Sequence, residues 1–391
     1  MGCRYLLRTR GIKANPTRVL FSAYSGRQFA CSPRSIYEQM LVDGNCDGFT
    51  FVWAFENPEE FGDLESPRCK VVKYGSKEFE KEAAGCGYWV SNNRLPSSLI
   101  KRKRQVYIQT WHGTPLKRLG FDVTGYIDGA DDIESLRYSY LTEAKRFDYL
   151  LSPSPYYTRV MAGAFGLDRL GREDKIAELG YPRNDALCHP SREEIEAARR
   201  EIGVPEGARV ILYAPTWREK DLKPGEGFSY SRGIDFHPGL DFHEFLQSLP
   251  GDVIILLRTH YYVSRNIDLS RWGDRVIDVS GFRDINQLYL ASDVLLTDYS
   301  SVFFDYGMLE RPMVFYMYDL EDYRSVRDFY FDIDELPGEV VTEEDRISPA
   351  VKDALSRIGE PATDRMKAFR EKFAPIDEPC ASEVIRSLIT G

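Results

Sequence analysis

Val294-Leu295-Leu296-Thr297-Asp298-Tyr299-Ser300-Ser301-Val302-Phe303-Phe304-Asp305-Tyr306-Gly307-Met308-Leu309 reads as a strand, a polar turn and a helix in direct succession. The opening apolar run is strand-sized, hydroxyls gather at the turn, and the stretch from Val302 to Leu309 fits a helix. Strand followed by helix is the repeating unit of a parallel α/β sheet. Working outward, the same alternation recurs. Strands are expected at Val210–Ala214, Val253–Arg258, Val276–Val279, Val294–Thr297 and Met313–Tyr316, with helices at Arg192–Ile202, Phe242–Ser248 and Ile285–Ala291. Toward the N-terminus, strands are expected at Val19–Ala23, Phe51–Phe55, Val71–Tyr74, Tyr88–Val90, Val106–Thr110 and Tyr149–Ser152, with helices after Pro33 and Pro155 and near Asp131.

The chain has 391 residues. A single core stops growing near ~250–300 residues, so two domains are expected. The turn-rich segment from Gly180 to Pro190 is the natural junction, with Ser191 placed to cap the helix that follows. It divides the chain into domains 1–186 and 187–391, the last helices being free to pack back on the first domain. The fold class is therefore α/β, with two Rossmann-like domains facing a cleft. The segment from Lys220 to Gly239 is rich in Gly, Pro and Ser and too long for an ordinary βα connection, so it reads as a lid or acceptor loop.

The net charge of −10 argues against nucleic acid as the main partner. Positive charge is local instead, at Lys101, Arg102, Lys103 and Arg104 and again at Lys117 and Arg118. Such a run reads either as a solvated face or as a patch for phosphate-rich polymer or anionic headgroups. Cysteines fall at 3, 31, 46, 69, 86, 188 and 380, with neither CxxC pairs nor metal spacing, which fits a reducing compartment. No metal constellation or cofactor motif is visible, although a divalent ion on a diphosphate would be compatible. No apolar run approaches the ~18–20 residues of a membrane span, and the N-terminus lacks the core of a signal peptide.

Ligands of open α/β sheets bind beyond the carboxyl ends of the strands. Four polar segments lie there. Gln109-Thr110-Trp111-His112-Gly113-Thr114-Pro115-Leu116 follows a strand. His112 has the ordinary titration range of a general base, and Gly113 permits close backbone approach. A turn-capping histidine is the plainer alternative. Arg258-Thr259-His260 offers a cation and an imidazole for a phosphate, or a buried charge at a strand end. Thr297-Asp298-Tyr299-Ser300-Ser301 offers hydroxyls and backbone amides at a helix start, or an ordinary cap. Ala214-Pro215-Thr216-Trp217-Arg218 adds a further cation or a packed aromatic edge. Asp319, after the next strand, suits a ribose hydroxyl or a solvated loop.

Together these segments resemble the CDP-glycerol glycerophosphotransferases of teichoic acid synthesis. The resemblance also runs through Ser25-Gly26-Arg27-Gln28-Phe29-Ala30-Cys31-Ser32-Pro33-Arg34, Asn92-Asn93-Arg94-Leu95-Pro96 and Gly180 to Asp185, and spans about residue 18 to about 390. It implies a glycosyltransferase-B type fold with an acceptor-side N-terminal domain and a donor-binding C-terminal domain. It also implies CDP-glycerol as donor, a lipid-linked saccharide or polyol-phosphate acceptor, and a peripheral place at the inner membrane face. His112 and His260 match the family's essential histidines, and Thr297, Asp298, Ser300 and Ser301 its donor-phosphate neighbourhood. One departure is Asp377-Glu378-Pro379-Cys380-Ala381-Ser382, where the family usually has Gly before Ala-Ser. Neither the alditol, glycerol or ribitol, nor a nucleotide-sugar donor is encoded by these motifs, and a binding protein on the same scaffold would share them.

Overall fold

The apolar runs become two separate sheets in which every paired strand is parallel. They are seen in a computed structural model that describes residues 2–124, 132–216, 241–259, 269–321, 323 and 329–390. The first sheet has β1 (Asn15–Ser22), β2 (Thr50–Phe55), β3 (Cys69–Lys73), β4 (Cys86–Ser91), β5 (Val106–Gln109), β6 (Tyr149–Leu151) and β7 (Ile176–Ala177), in the order β3-β2-β1-β4-β5-β6-β7. The second has β8 (Arg209–Ala214), β9 (Val253–Leu257), β10 (Val276–Asp278), β11 (Val294–Thr297), β12 (Met313–Tyr316) and β13 (Glu339–Val341), in the order β10-β9-β8-β11-β12-β13.

Both orders reverse direction once, between β1 and β4 and between β8 and β11. Such a reversal opens a crevice at the strand ends, and the polar segments after these strands are where a ligand site forms. The α/β architecture expected from the sequence is thus present twice. The short edge strands β7 and β13 have no counterpart among the sequence-based expectations.

Strands buried on both faces feed two cores. In β1, Leu20 joins one cluster with Val52, Trp89 and Tyr107, while Val19 and Phe21 join the other with Phe51 and Trp53. This is the two-residue alternation of a strand covered on both sides. The second sheet repeats it with Ile211, Ile255, Leu296 and Val314 in one cluster.

The chain divides into two compact units, residues 1–188 with 375–391, and residues 189–374. The C-terminal segment belongs to the first unit. Val384, Ile385 and Ile389 sit in the core with Val19 and Phe21. Asp185 accepts hydrogen bonds from the backbone N–H of Cys380 (2.9 Å) and Ala381 (2.8 Å), and the Tyr88 hydroxyl donates to the Ile389 carbonyl at 2.8 Å. Ser191 caps the first helix of the second unit, in a capping box with Glu194.

Candidate active site

In the first unit, His112 lies just past β5, beside the β1–β4 reversal. Its Nδ1 is 2.7 Å from the Asn92 carbonyl oxygen, one residue beyond β4. A carbonyl can only accept, so Nδ1 carries the hydrogen and Nε2 is left with its lone pair. The ring stacks on Trp111 at 4.5 Å and meets Tyr24, beyond β1, at 5.9 Å. The Arg183 guanidinium donates to the His112 carbonyl, and the Gly113 N–H donates to the Tyr181 hydroxyl at 2.9 Å. Burial, with the nearby charges of Arg183 and Arg94, holds the imidazole below its ordinary 6.5, against the upward pull of the Asn92 carbonyl. The arrangement is that of a neutral base with a fixed tautomer.

The backbone here is strained. Tyr24 (φ 49°), Ser25 (φ 59°), Cys31 (φ 64°) and Trp111 (φ 52°) occupy the left-handed region without being glycine. Strain of this kind persists only where the surroundings enforce it, and it clusters at functional sites. The enforcement is visible. The Tyr24 N–H donates to Asn92 Oδ1 at 2.7 Å, Asn93 Nδ2 donates to Ser25 Oγ at 3.0 Å, and the Trp111 N–H donates to Gln109 Oε1 at 2.9 Å. A Cβ on Gly26 (φ +88°) would stand 2.9 Å from the Glu56 backbone nitrogen, so the loop after β1 needs glycine there.

In the second unit, the segment after β11 divides into braces and uncommitted groups. Thr297 is fully buried and donates to the Ala214 carbonyl at 2.7 Å. Asp298 Oδ1 accepts from the N–H of Thr216 (2.8 Å) and Tyr299 (2.6 Å), which ties the ends of β8 and β11 together across the reversal. Tyr299 donates to Asp319 Oδ1 at 3.1 Å. By contrast, the hydroxyls of half-buried Ser300 and exposed Ser301 have no hydrogen-bond partner among the described residues, and Ser301 precedes the helix Val302–Tyr306 without capping it through its side chain.

Arg258 donates to the carbonyls of Val279 (3.1 Å) and Phe282 (2.9 Å) and so braces the turn after β10. His260 and Arg218 lie outside the described residues. The basic run at 101–104 also divides. Lys101 pairs with Asp148 at 2.7 Å, and Arg102 donates to the carbonyls of Thr9 (2.7 Å) and Ile12, whereas Lys103 and Arg104 are exposed. Lys117 and Arg118 are half-buried. Among the described residues no group of three or more His, Cys, Asp or Glu could hold a metal ion.

Sequence reasoning gave no role to Tyr24, Asn92 or Arg183. Asn92 and Arg183 stood in segments that carried the family resemblance. The available signal was an asparagine directly after an apolar strand, where its carbonyl is free of the ladder.

The family of CDP-glycerol:poly(glycerophosphate) glycerophosphotransferases matches residues 5–391. The chain belongs to this family. It is 37% identical over 378 residues to the teichoic acid glycerol-phosphate transferase of Staphylococcus aureus, covering 95% of this chain and 92% of that protein. It is 35% identical over 389 residues to the teichoic acid poly(glycerol phosphate) polymerase of Staphylococcus epidermidis, covering 98% of this chain but only 52% of that one, so the chain spans about half the polymerase's length. The wall teichoic acid polymerase TagF, solved as a histidine-to-asparagine variant soaked with CDP-glycerol, superposes with a TM-score of 0.88 at 35% identity, over 99% of this chain and 91% of that one.

Proposed function

We propose that this glycerophosphotransferase moves glycerol phosphate from CDP-glycerol to a hydroxyl of a teichoic acid acceptor, a lipid-linked saccharide or polyol-phosphate end, and releases CMP. The observation that carries the reading is the His112–Asn92 bond, which leaves Nε2 bare on a ring held neutral. The names of the relatives support the donor and the polymer class. In the reaction, the acceptor oxygen attacks the phosphorus that bears glycerol and its proton passes to His112 Nε2. The bond from that phosphorus to the bridging oxygen breaks, and CMP leaves with the electron pair. Phosphoryl transfer of this kind is mostly positioning and charge neutralisation. Ser300 and Ser301 are the groups we assign to the donor phosphates, with Asp319 toward the ribose. Thr297, Asp298 and Arg258 hold the loops that present them, and His260 and Arg218 are assigned to the diphosphate from the sequence alone.

Peripheral contact with an anionic membrane is part of the same reading. Arg102 ties the 101–104 loop to the 9–12 turn. Exposed Arg4, Arg10, Lys13, Lys103 and Arg104, with Leu6 and Leu7, thus share one region of the first unit. Among the described residues no helix is long and apolar enough to cross a membrane.

The deciding experiment is CMP release by His112→Ala beside donor binding by calorimetry. General-base assistance is worth ~10²–10⁴-fold, so turnover falls by that factor while donor affinity holds. Undiminished turnover overturns the reading. Weighing the products made from CDP-glycerol and from CDP-ribitol then separates the two alditols, and one mass increment from a ladder.

A further inference from the structure

Beneath the His112 turn lies a set of buried polar side chains that takes no part in the reaction just described. Tyr107 and Gln109 are 0% exposed and Glu143 is 2% exposed. Polar groups removed from water in this way destabilise a fold unless each finds a partner. Here they find one another. Glu143 Oε1 accepts from the Tyr107 hydroxyl and from Gln109 Nε2 (3.4 Å), and Oε2 accepts from Arg146 at 3.0 Å. Gln109 Nε2 also donates to the Tyr107 oxygen (3.0 Å) and the Asn93 carbonyl (3.2 Å).

The orientation of the Gln109 amide follows from this. Glu143 and the Asn93 carbonyl both demand a donor, so the NH₂ must face them and Oε1 must face the other way. That oxygen is the one that accepts the Trp111 N–H at 2.9 Å, on the residue before His112 and at a backbone angle (φ 52°) foreign to a large side chain. A second arm reaches the ring from the other side. Asn93, held by Gln109, is the neighbour of Asn92, whose carbonyl fixes His112 Nδ1. The helix Ile133–Ala144 adds a third point of support, since Tyr140 on it meets the Trp111 ring at 6.1 Å.

We propose that Glu143 is a positioning residue for His112, acting through the Gln109 amide to hold the Trp111–His112 turn and the Nδ1–H tautomer of the ring. This rests on the reading of His112 as the base. Glu143 itself is closed off from solvent by its protein partners, and nothing in the family resemblance assigns it a role. The carboxylate sits on the outgoing helix, 31 residues along the chain from the histidine by number, and works only because the fold brings the two together.

The test uses the full chain labelled with ¹⁵N-histidine, which leaves only five imidazole rings to assign. Parent protein is expected to show His112 with Nδ1 protonated and Nε2 bare. In Glu143→Ala the tautomer signal becomes mixed, and kcat falls by between about 10- and 100-fold at unchanged KM for CDP-glycerol, the scale of a misplaced catalytic group. Glu143→Gln keeps an acceptor for Tyr107 and recovers much of the loss. Tyr107→Phe, a milder change that keeps the carboxylate and the ring, shifts the tautomer in the same direction and serves if Glu143→Ala does not fold. A parent-like tautomer together with parent-like kcat in folded Glu143→Ala or Tyr107→Phe overturns the proposal. His112→Ala run alongside keeps the two ideas apart: full turnover there removes the base, while the imidazole spectrum still reports whether Glu143 positions the ring.

Discussion

The ends of β5 and β11 lie on the same side of the reversal in their own sheets, β11 at it and β5 one strand out, yet they are built on opposite plans. At β5 the polar groups around His112 are engaged with the protein itself: the ring with Asn92, Trp111 with Gln109, Tyr24 with Asn92, and Gly113 with Tyr181. At β11 the inner residues Thr297 and Asp298 are engaged in the same way, while Ser300 and Ser301 present hydroxyls that nothing described in the chain satisfies. The difference teaches where each end invests its rigidity. One fixes the direction of a single lone pair, and the other fixes a frame and leaves its outermost hydroxyls without a partner among the described residues.

That contrast can be broken at several points. The largest effect belongs to His112→Ala, set out above. Next comes Asn92→Ala, which strips the side-chain acceptor from the part-buried Tyr24 N–H. Leaving such a group unpaired costs about 1–3 kcal/mol, to be read as a shift of the denaturation midpoint at constant slope. A midpoint that does not move would mean that the strained Tyr24–Gly26 loop holds itself.

Ser300→Ala and Ser301→Ala should do the reverse. Stability stays within ~0.5 kcal/mol, since no internal bond is lost, while KM for the donor rises about 2–10-fold, the worth of one hydrogen bond. Equal KM values would leave the β11 end without a donor role. The acid limb of kcat/KM is expected below pH 6.5, because burial and the Arg183 and Arg94 charges depress the His112 value. Arg94→Gln removes one of those charges and should move the limb upward. The same depression makes the folding contribution of His112 complete above its unfolded value near 6.5 and progressively lost as pH falls.

The smallest effects separate the halves of the basic run. Lys101→Ala breaks a partly buried pair with Asp148 and costs up to about 1 kcal/mol. Lys103→Glu with Arg104→Glu leaves stability alone and lowers sedimentation with anionic vesicles. Vesicle binding that survives this double change would move the membrane contact elsewhere.

The strands that carry the site were legible because each is an apolar run ending in a polar segment. This marks β5 before Thr110, β9 before Arg258 and β11 before Asp298. The edge strands β7 and β13 were not, since Ile176–Ala177 and Glu339–Val341 are too short for a period to show. The position of His112 could be read from its strand end, but its tautomer could not, because that depends on a backbone carbonyl, and every residue has one. Lys101 to Arg104 looked uniform as letters. Only the fold, by bringing Asp148 and the Thr9 and Ile12 carbonyls within reach, divided them into two anchors and two exposed charges. Glu143, and its link to Gln109, were invisible for the same reason: a single buried contact across distant sequence leaves no local pattern.

The return of residues 375–391 to the first unit has a consequence for the order of manufacture. Asp185 waits for the N–H groups of Cys380 and Ala381, and the core around Val19 and Phe21 waits for Val384, Ile385 and Ile389. On the ribosome the first half therefore emerges early and closes late. The unit formed by residues 189–374 is made in full before residues 375–391, and can be complete while the first unit still lacks its C-terminal segment.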